Sequence, residues 1–274
     1  MKAGRVENGV LRDTQRIAVS SQGSEQQVLS EVIEAIETVI EGDLTGIGVG
    51  VPSVVDVGTG IVYDVQNIPS WKEVNLKDIL QEQFNVPVYV DNDANCFAAG
   101  EKLFGKGKEY ENFVALIVGT GLAAGIIINR WLYRGHNCGA GEFGMIPYLD
   151  HNYEYYCSGQ YFHHMHQGDG EAIHHLAIDG DERALKMFNE FGAHLGNAIK
   201  TILYTVDPEI IILGGSVSKA YPFFKESLWN QLNTFAYHNV VPKLKIKVSD
   251  QPNIAILGAA ALSIYAQTVS STFQ

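Results

Sequence analysis

The sequence predicts an α/β protein with two lobes, and three features of the chain support this. Each half of the 274 residues begins with a strand hairpin and continues with strands that alternate with helices. Short apolar runs rich in β-branched residues end in glycine or carboxylate turns. Hydrophobic residues make up 46% and charged residues 18%, which is typical of an ordered globular protein. We therefore expect a first lobe over residues 1–107 and a second over 108–256, with a terminal helix over 257–270 that returns to the first lobe.

The first lobe is predicted from hairpin, strand and amphipathic-helix patterns. Residues 4–20 indicate a hairpin, because Glu7-Asn8-Gly9 supplies turn chemistry between two weakly alternating runs. Ser24, with Gln27 three residues later, is typical of a helix start, and Gly42 is typical of a helix end. The remaining elements are a strand over 44–51, a hairpin over 54–65, a helix over 76–84, a strand over 86–90 and a helix that ends at about residue 104.

The second lobe is predicted around two apolar strands, 113–118 and 123–128, that flank a glycine turn. A long helix over 181–206 carries apolar residues at helical spacing on one side. A strand over 209–213, a helix over 222–235 and a strand over 244–248 follow. Residues 150–170 are aromatic and rich in histidine, and we expect them to be irregular.

The overall charge and the cysteine content limit the classes of function. A net charge of -12 disfavours a nucleic-acid surface, because phosphate binding needs clustered Lys and Arg. No apolar run approaches the roughly 20 residues of a membrane span, and the first residues lack the apolar region of a signal peptide. Cys96, Cys138 and Cys157 have no paired spacing, which argues against a disulfide framework. These features indicate the cytoplasm.

A turn rich in carboxylates and amides, Asp91-Asn92-Asp93-Ala94-Asn95, comes where a predicted strand ends and a helix begins. Open α/β sheets place ligand contacts at this edge. An Asp there can accept a proton from a sugar hydroxyl that attacks a phosphoryl group, and a neighbouring Asn can both donate to and accept from hydroxyls. Asp and Asn are also favoured as helix N-caps with no further function, so both interpretations stay open.

Two glycine turns, Gly119-Thr120-Gly121 and Gly214-Gly215-Ser216, each follow an apolar strand. Glycine permits a positive φ and lets a phosphate approach the backbone, and the Thr hydroxyl adds a donor. An ordinary hairpin and a strand-to-helix turn are the alternatives, and neither motif has the spacing of a Walker loop or a Rossmann fingerprint. Together with the carboxylate turn, these turns outline a site for a polyphosphate and a polar substrate, which is the layout of a small-molecule kinase.

Two loop segments carry further polar side chains. Glu142 lies among glycines, where a charge is costly unless a ligand binds it, and a surface loop is the alternative. Residues 145–166 contain a set that can bind zinc, but the spacing matches no standard ligand pattern and favours a structural role. The set is His151, Cys157, His163, His164 and His166.

The order of these motifs resembles the ROK family of sugar kinases and sugar-responsive repressors, within the actin-like ATPase superfamily. The resemblance covers essentially the whole chain, and it implies two ribonuclease-H-like lobes that close over substrate in an interlobe cleft. The segments that carry it are residues 48–53, 67–71, 91–95, 119–121, 137–144 and 207–215.

The resemblance also implies roles for single residues. Asp93 would be the base that takes a proton from the sugar hydroxyl. Sugar hydroxyls would be bound by Asn67, Asn92, Asn137 and Glu142. Nucleotide phosphates would contact Gly119, Thr120 and Gly121, and the adenosine would lie near Gly214 and Gly215. ATP would be the donor, Mg²⁺ would accompany it, and a homodimer would be the assembly.

The sequence departs from the family pattern in three respects. Family members begin with a strand and a DxGxT phosphate loop ahead of the segment that matches residues 2–6, and this sequence starts after that loop. The family's zinc site uses a His and three cysteines where this chain has Met145 and the single Cys157, so we predict no structural zinc. That His and a later Glu normally touch the sugar, and Met145 and Phe162 stand in their places.

These observations support one leading hypothesis and two alternatives. The first is ATP-dependent phosphorylation of a hexose or an N-acylated hexosamine, with a small sugar and ATP as the partners and no nucleic acid or membrane. The second is a sugar-binding protein without catalysis, suggested by the departures above. The third is a sugar-responsive repressor, a class that carries an N-terminal helix-turn-helix domain for which the sequence shows neither room nor a basic face.

Overall fold

The computed structural model describes residues 1–65 and 67–272, which form two compact units of mixed α/β structure. The first unit comprises residues 1–109, 125–140 and the described residues from 251 onward, and the second comprises 110–124 and 141–250. The strands are β1 Lys2–Glu7, β2 Val10–Arg16, β3 Ile47–Val51, β4 Val54–Asp56, β5 Ile61–Tyr63, β6 Glu73–Asn75, β7 Val88–Asn92, β8 Phe113–Val118, β9 Leu122–Ile128, β10 Trp131–Tyr133, β11 Pro147–Tyr148, β12 His151–Asn152, β13 Ile210–Gly214 and β14 Lys245–Val248. The α-helices are α1 Glu25–Glu37, α2 Leu76–Phe84, α3 Asp93–Leu103, α4 Tyr153–Cys157, α5 Gln160–His166, α6 Gly170–Ile178, α7 Glu182–Thr205, α8 Tyr221–Leu232 and α9 Ile254–Thr272.

Three small sheets and four helices make up most of the first unit. β1 and β2 form an antiparallel hairpin, β3 pairs in parallel with β7, and β4, β5 and β6 form an antiparallel sheet. The predicted start of α1 is confirmed, because the Gln27 backbone N–H donates to Ser24 Oγ at 3.3 Å. The core of this unit joins α1, α2, β3, β5 and β7, with Trp71 buried among them.

The helices α3 and α9 of the first unit approach each other closely at glycines. A Cβ added to Gly258 would lie 1.7 Å from the Cys96 carbonyl oxygen, and one added to Gly100 would lie 2.3 Å from the Ile254 carbonyl oxygen. Side chains at these two positions would therefore force the helices apart. The contact fixes α3, the helix that begins at the carboxylate turn.

The second unit is built on a sheet with strands β9, β8, β13 and β14 in that order. β13 runs parallel to both β8 and β14, and Gly214 at its end pairs in register with Ile117. All of β13 is buried, as expected for a strand covered on both faces. The long helix α7 packs along α8 and buries the apolar side that the helical spacing predicts.

The structure corrects the prediction that residues 150–170 are irregular. Most of this segment is helical, in α4 and α5, and α6 follows directly, although the sequence pattern did not predict it. The helices α4 and α5 are short, and their aromatic side chains face one another, so no long apolar period marks them in the sequence. Within the described residues, no helix combines the length and apolarity needed to cross a bilayer.

Candidate active site

The carboxylate turn lies at the junction of β7 and α3, with Asp91 fully buried at its centre. Arg134 Nε donates to Asp91 Oδ2 at 2.5 Å, and the Asn95 side-chain amide and the Asn92 backbone N–H each donate to Asp91 Oδ1 at 2.8 Å. The Asp91 side chain is 1% exposed and that of Arg134 is 27% exposed. Burying a carboxylate is costly unless it is paired and hydrogen-bonded, and these donors satisfy it.

Cys138 completes the surroundings of Asp91. Its thiol donates to Asp91 Oδ1 at 3.4 Å, and its backbone adopts a positive φ of 58°. Burial, reinforced by the charge of Asp91, raises the pKa of Cys138 to about 11, so the thiol keeps its proton at neutral pH. Neither Arg134 nor Cys138 belongs to the carboxylate turn, and no local pattern in the sequence links them to Asp91, because only the fold brings them there.

Asp93, the predicted base, is the first residue of α3 and is half-buried. Burial raises the pKa of its carboxyl above the ordinary value of 3.8, although the backbone N–H groups of Ala94 and of Asp93 itself act in the opposite direction. A carboxyl whose pKa moves toward neutrality is a stronger base than an ordinary surface Asp. The two carboxylates of the turn thus have different environments, with Asp91 tied to protein donors and Asp93 only partly enclosed.

Asn92 is the N-cap of α3, as the helix-cap interpretation of the turn predicts. The Ala94 backbone N–H donates to Asn92 Oδ1 at 2.8 Å, and Asn92 Nδ2 donates to the Ser53 carbonyl at 3.2 Å. The side chain therefore caps α3 and ties it to the loop after β3. Beyond these contacts with described residues, the amide has one more N–H and one more lone pair, and its sugar-binding role stays a prediction.

The other predicted sugar-binding residues lie on loops. Asn67 and Asn137 are exposed in the first unit, and Asn137 directly precedes Cys138. Glu142, in the second unit, is exposed at the start of a single 3-10 turn over Phe143–Met145. The exposure of Glu142 agrees with the surface-loop alternative, and its sugar-binding role stays a prediction. Gly141 holds this loop against β9, where its carbonyl accepts the Ala124 backbone N–H at 3.1 Å.

The two glycine turns of the second unit lie side by side at the carboxyl ends of the parallel strands β8 and β13. Gly215 has a φ of 86°, and a Cβ there would lie 2.3 Å from the Val118 carbonyl oxygen, so backbone strain and packing both require glycine. At Gly119, an added Cβ would meet no heavy atom nearer than 4.0 Å. Packing therefore does not require glycine at Gly119, and the open space beside its backbone fits the approach of a phosphate.

The segment after the glycine loop of Glu142 supports the first of these turns. Glu154 Oε2 accepts the Leu122 backbone N–H at 3.0 Å, and Gln160 Nε2 donates to Glu154 Oε1 at 3.1 Å. The Gly159 backbone N–H donates to the Gly119 carbonyl at 2.7 Å. No local pattern in the sequence links Glu154 or Gln160 to this turn, since the contacts depend on the position of α4 against it.

The aromatic and histidine-rich segment is packed around ring contacts. His151 stacks on Tyr155 with ring centroids 4.0 Å apart, and Tyr155 stacks on His164 at 4.8 Å. Among the described residues, no cluster of three or more His, Cys, Asp or Glu could hold a metal ion. The absence of a structural zinc stays a prediction. Phe162 is buried against Phe188 and Phe191, and its place at the position of the family's sugar-contacting Glu stays a prediction.

Comparisons with known proteins identify the family. The ROK family model matches residues 5–265, and the chain belongs to the ROK family. A xylose repressor of Bacillus spizizenii is 32% identical over 210 residues, which cover 71% of this chain and 54% of the repressor, so the chain spans about half the length of that relative. A glucokinase of Halalkalibacterium halodurans is 27% identical over 285 residues, with 90% of this chain and 86% of the glucokinase covered.

A solved structure extends the similarity to the fold. The ROK family glucokinase of Streptomyces griseus, crystallised with glucose and AMPPNP, is 25% identical and superposes with a TM-score of 0.81 over 94% of each chain. The predicted fold class, an α/β protein of the actin-like ATPase type found in ROK sugar kinases, is confirmed. The relatives include both kinases and repressors, so membership of the family does not by itself fix the activity of this chain.

Proposed function

We propose that this chain is an ATP-dependent sugar kinase that phosphorylates a hydroxyl of a hexose or an N-acylated hexosamine. Asp93 carries the proposal, because it is a half-buried carboxylate at a helix start, with a raised pKa and with the neighbouring Asp91 already neutralised by Arg134. Similarity to glucokinases across about nine tenths of the chain supports the same reaction.

The first unit supplies the acceptor side of the proposed reaction. Asp93 takes the proton of the sugar hydroxyl while that oxygen bonds to the γ-phosphorus, the bond from this phosphorus to the bridging oxygen breaks, and ADP leaves. The side chains of Asn67, Asn92 and Asn137 bind and orient the other hydroxyls. Orientation of this kind lowers the barrier because the reacting atoms are held in line before the transfer.

The second unit supplies the donor side. The Gly119 backbone N–H donates to the Gly121 carbonyl at 3.0 Å, so the backbone N–H groups of Thr120 and Gly121 and the Thr120 hydroxyl hold the phosphates beside the open side of Gly119. Gly214 and Gly215 lie near the adenosine. Glu142 binds a sugar hydroxyl. Mg²⁺, when bound with ATP, would neutralise charge on the phosphates held by the Gly119-Thr120-Gly121 turn.

The kinase proposal is tested by measuring ADP release with a panel of hexoses and N-acylated hexosamines. We expect Asp93→Asn and Asp93→Ala to lower kcat by about 10³-fold with the KM for ATP little changed, since the general base is lost. The control is Asp78→Asn, which alters an exposed carboxylate in the first turn of α2 and should retain full activity. An Asp93 variant with nearly full turnover would refute the assignment.

A second candidate is a sugar-responsive, non-catalytic protein, which the similarity to a xylose repressor favours. Calorimetry distinguishes the two. The second candidate predicts sugar binding without binding of Mg-ATP and without ADP release. Tight Mg-ATP binding by the 274-residue chain would count against it.

A further inference from the structure

The loop that follows β10 in the first unit is short and closed on itself. The Ala140 backbone N–H donates to the Arg134 carbonyl at 3.1 Å, so residues 134–140 form one compact loop, which we call the 134–140 loop. Asn137 near its centre is exposed, whereas the adjacent Cys138 is buried. The loop therefore has one side in solvent and sends one side chain into the interior.

Two side chains of the 134–140 loop reach the same buried carboxylate. Arg134 Nε donates to Asp91 Oδ2 at 2.5 Å, and the Cys138 thiol donates to Asp91 Oδ1 at 3.4 Å. Each oxygen of Asp91 thus accepts a hydrogen bond from this loop. Hydrogen bonds to a charged acceptor are stronger than those between neutral groups, and burial strengthens them further. We call Asp91, Arg134 and Cys138 the clamp.

Cys138 is held from a second direction by α3. The Asn95 side-chain amide donates to Cys138 Sγ at 3.5 Å as well as to Asp91 Oδ1 at 2.8 Å. Cys138 also belongs to the apolar core of the first unit, together with Val51 and Val55. The thiol therefore connects the 134–140 loop to α3 and to the core, besides the end of β7.

The backbone of Cys138 is under constraint. Its φ of 58° lies in the left-handed region, which residues with a Cβ rarely adopt because the Cβ comes too close to the following carbonyl oxygen. Strained conformations of this kind persist only where the surroundings over-determine them, and they concentrate at functional sites. At Cys138 the surroundings include Asp91 and Asn95, so the attachment to the carboxylate turn offsets the strain of the loop.

The clamp lies between two parts of the proposed acceptor site. Asp93, the proposed base, follows Asp91 by two residues. Asn137, which is proposed to bind a sugar hydroxyl, directly precedes Cys138. A short stretch of backbone therefore links each of these two groups to the clamp.

We propose that the clamp fixes the sugar-binding Asn137 relative to the base Asp93. Arg134 and Cys138 are then positioning residues of the acceptor site, because they act through Asp91 and touch neither sugar nor phosphate. The proposal rests on the proposed function, which supplies the roles of Asn137 and Asp93. Its physical basis is that binding groups must be held in the productive geometry by supporting contacts, and an error of about 1 Å costs about 100-fold in rate.

Two substitutions of Cys138 test the clamp. Cys138→Gly removes the thiol at a backbone conformation that glycine adopts without strain. We expect it to raise the KM for the sugar by about tenfold or more with the KM for ATP unchanged, because the proposed nucleotide contacts lie in the second unit. Cys138→Ser supplies an O–H donor to Asp91 and should recover most of this loss. The control is His136→Ala, at an exposed position of the same loop, which should leave both KM values unchanged.

The split between the two KM values separates positioning from a general loss of structure. A variant that merely contained less folded protein would show a lower apparent kcat and unchanged KM values. Arg134→Lys is the second variant if Cys138→Gly does not fold. It keeps a positive charge but has no donor at the place of Nε, so it should raise the KM for the sugar and leave the KM for ATP unchanged.

Hydrogen exchange and calorimetry with the same sugar panel separate this proposal from the kinase assignment. Cys138→Gly should speed exchange of the Ala140 amide, which closes the loop, by about tenfold or more and weaken sugar binding by a similar factor. Weakened binding in a chain that releases no ADP would support the clamp and contradict the kinase. ADP release with an unchanged KM for the sugar in both variants would overturn the clamp and leave the kinase assignment. A chain that binds no sugar of the panel would overturn both.

Discussion

The two carboxylates of the same turn, Asp91 and Asp93, have different surroundings. Asp91 is fixed by Arg134, Asn95 and the thiol of Cys138, whereas Asp93 begins α3 and remains half-buried. Asp91 therefore acts through position, by anchoring the turn, and Asp93 is the side chain that can take a proton. The composition of the turn alone does not tell which of the two carboxylates is held by protein donors and which stays half-buried.

The Asp91–Arg134 pair gives a stability prediction. Arg134→Met removes the charged partner of a buried carboxylate, and we expect the free energy of unfolding in urea to fall by roughly 3 kcal/mol. Arg183→Met, at an exposed position of α7, should change it by less than about 0.5 kcal/mol. Adding Asp91→Asn to the Arg134 variant should recover part of the loss, and equal stability of Arg134→Met and the unchanged protein would contradict the pairing.

The environment of Asp93 gives a pH prediction. The unfolded chain ionises this carboxyl at its ordinary pKa of 3.8, whereas burial raises the folded-state pKa. The folded state holds the proton more tightly, so the free energy of unfolding falls as pH rises from 3.8 through the raised value and this penalty is constant above it. We therefore expect Asp93→Asn to be more stable than the unchanged protein at neutral pH.

Urea titrations at about pH 7 and about pH 3 check this sign, because the difference between the two proteins should disappear once Asp93 is protonated. An Asn variant that is less stable at neutral pH would show that ionised Asp93 is favoured by the fold. In the kinase assay, the acidic limb of kcat/KM should have its midpoint above 3.8 for the same reason.

At the scale of elements, the contact between α3 and α9 helps to hold the carboxylate turn in place within the first unit. The helices approach through Gly100 and Gly258, and a third glycine, Gly48 of β3, lies against the Ala259 carbonyl. These glycines lie in separate segments of the sequence, and only the packing of α9 against α3 and β3 shows that all three permit a close approach of the backbone.

Gly258→Ala tests this contact. The added Cβ would lie 1.7 Å from the Cys96 carbonyl oxygen, so the helices must separate. We expect a loss of about 2 kcal/mol or more in the free energy of unfolding, despite the roughly 1 kcal/mol that alanine gains in helix propensity. Gly139→Ala is the matched control, because an added Cβ there meets no atom within 4 Å and should leave the midpoint unchanged. A Gly258 variant as stable as this control would show that the helices can shift at little cost.

The elements that sequence patterns predicted well are those with a clear period or clear turn chemistry. The pattern predicts α7 over 181–206, and the structure places it at Glu182–Thr205, because a long apolar stripe defines it. The pattern fails between residues 150 and 170, where α4 and α5 are too short to show a period and are stabilised by stacked rings such as Tyr155 and His164. The hydrophobic period of a sequence predicts an element only where that element is long enough to bury one face.

At the scale of the whole molecule, the family and the fold class follow from features spread over the entire chain. The match to the ROK family over residues 5–265 agrees with the resemblance inferred from the order of the motifs. The homodimer, the cytoplasmic location and the lack of a nucleic-acid partner stay predictions. Because some of the relatives are repressors, nucleic-acid binding by this chain is worth measuring.

The sequence by itself determined the family, the fold class, the helix start at the carboxylate turn and the glycine turns that end β8 and β13. These are local or ordered features, set by hydrophobic period, capping chemistry and the conformational freedom of glycine. Tertiary structure alone decided that Arg134 neutralises Asp91 and that Glu154 supports the turn at Gly119. The physical reason is that each of these depends on atoms far apart in the chain, whose meeting is fixed by packing and carries no local signal.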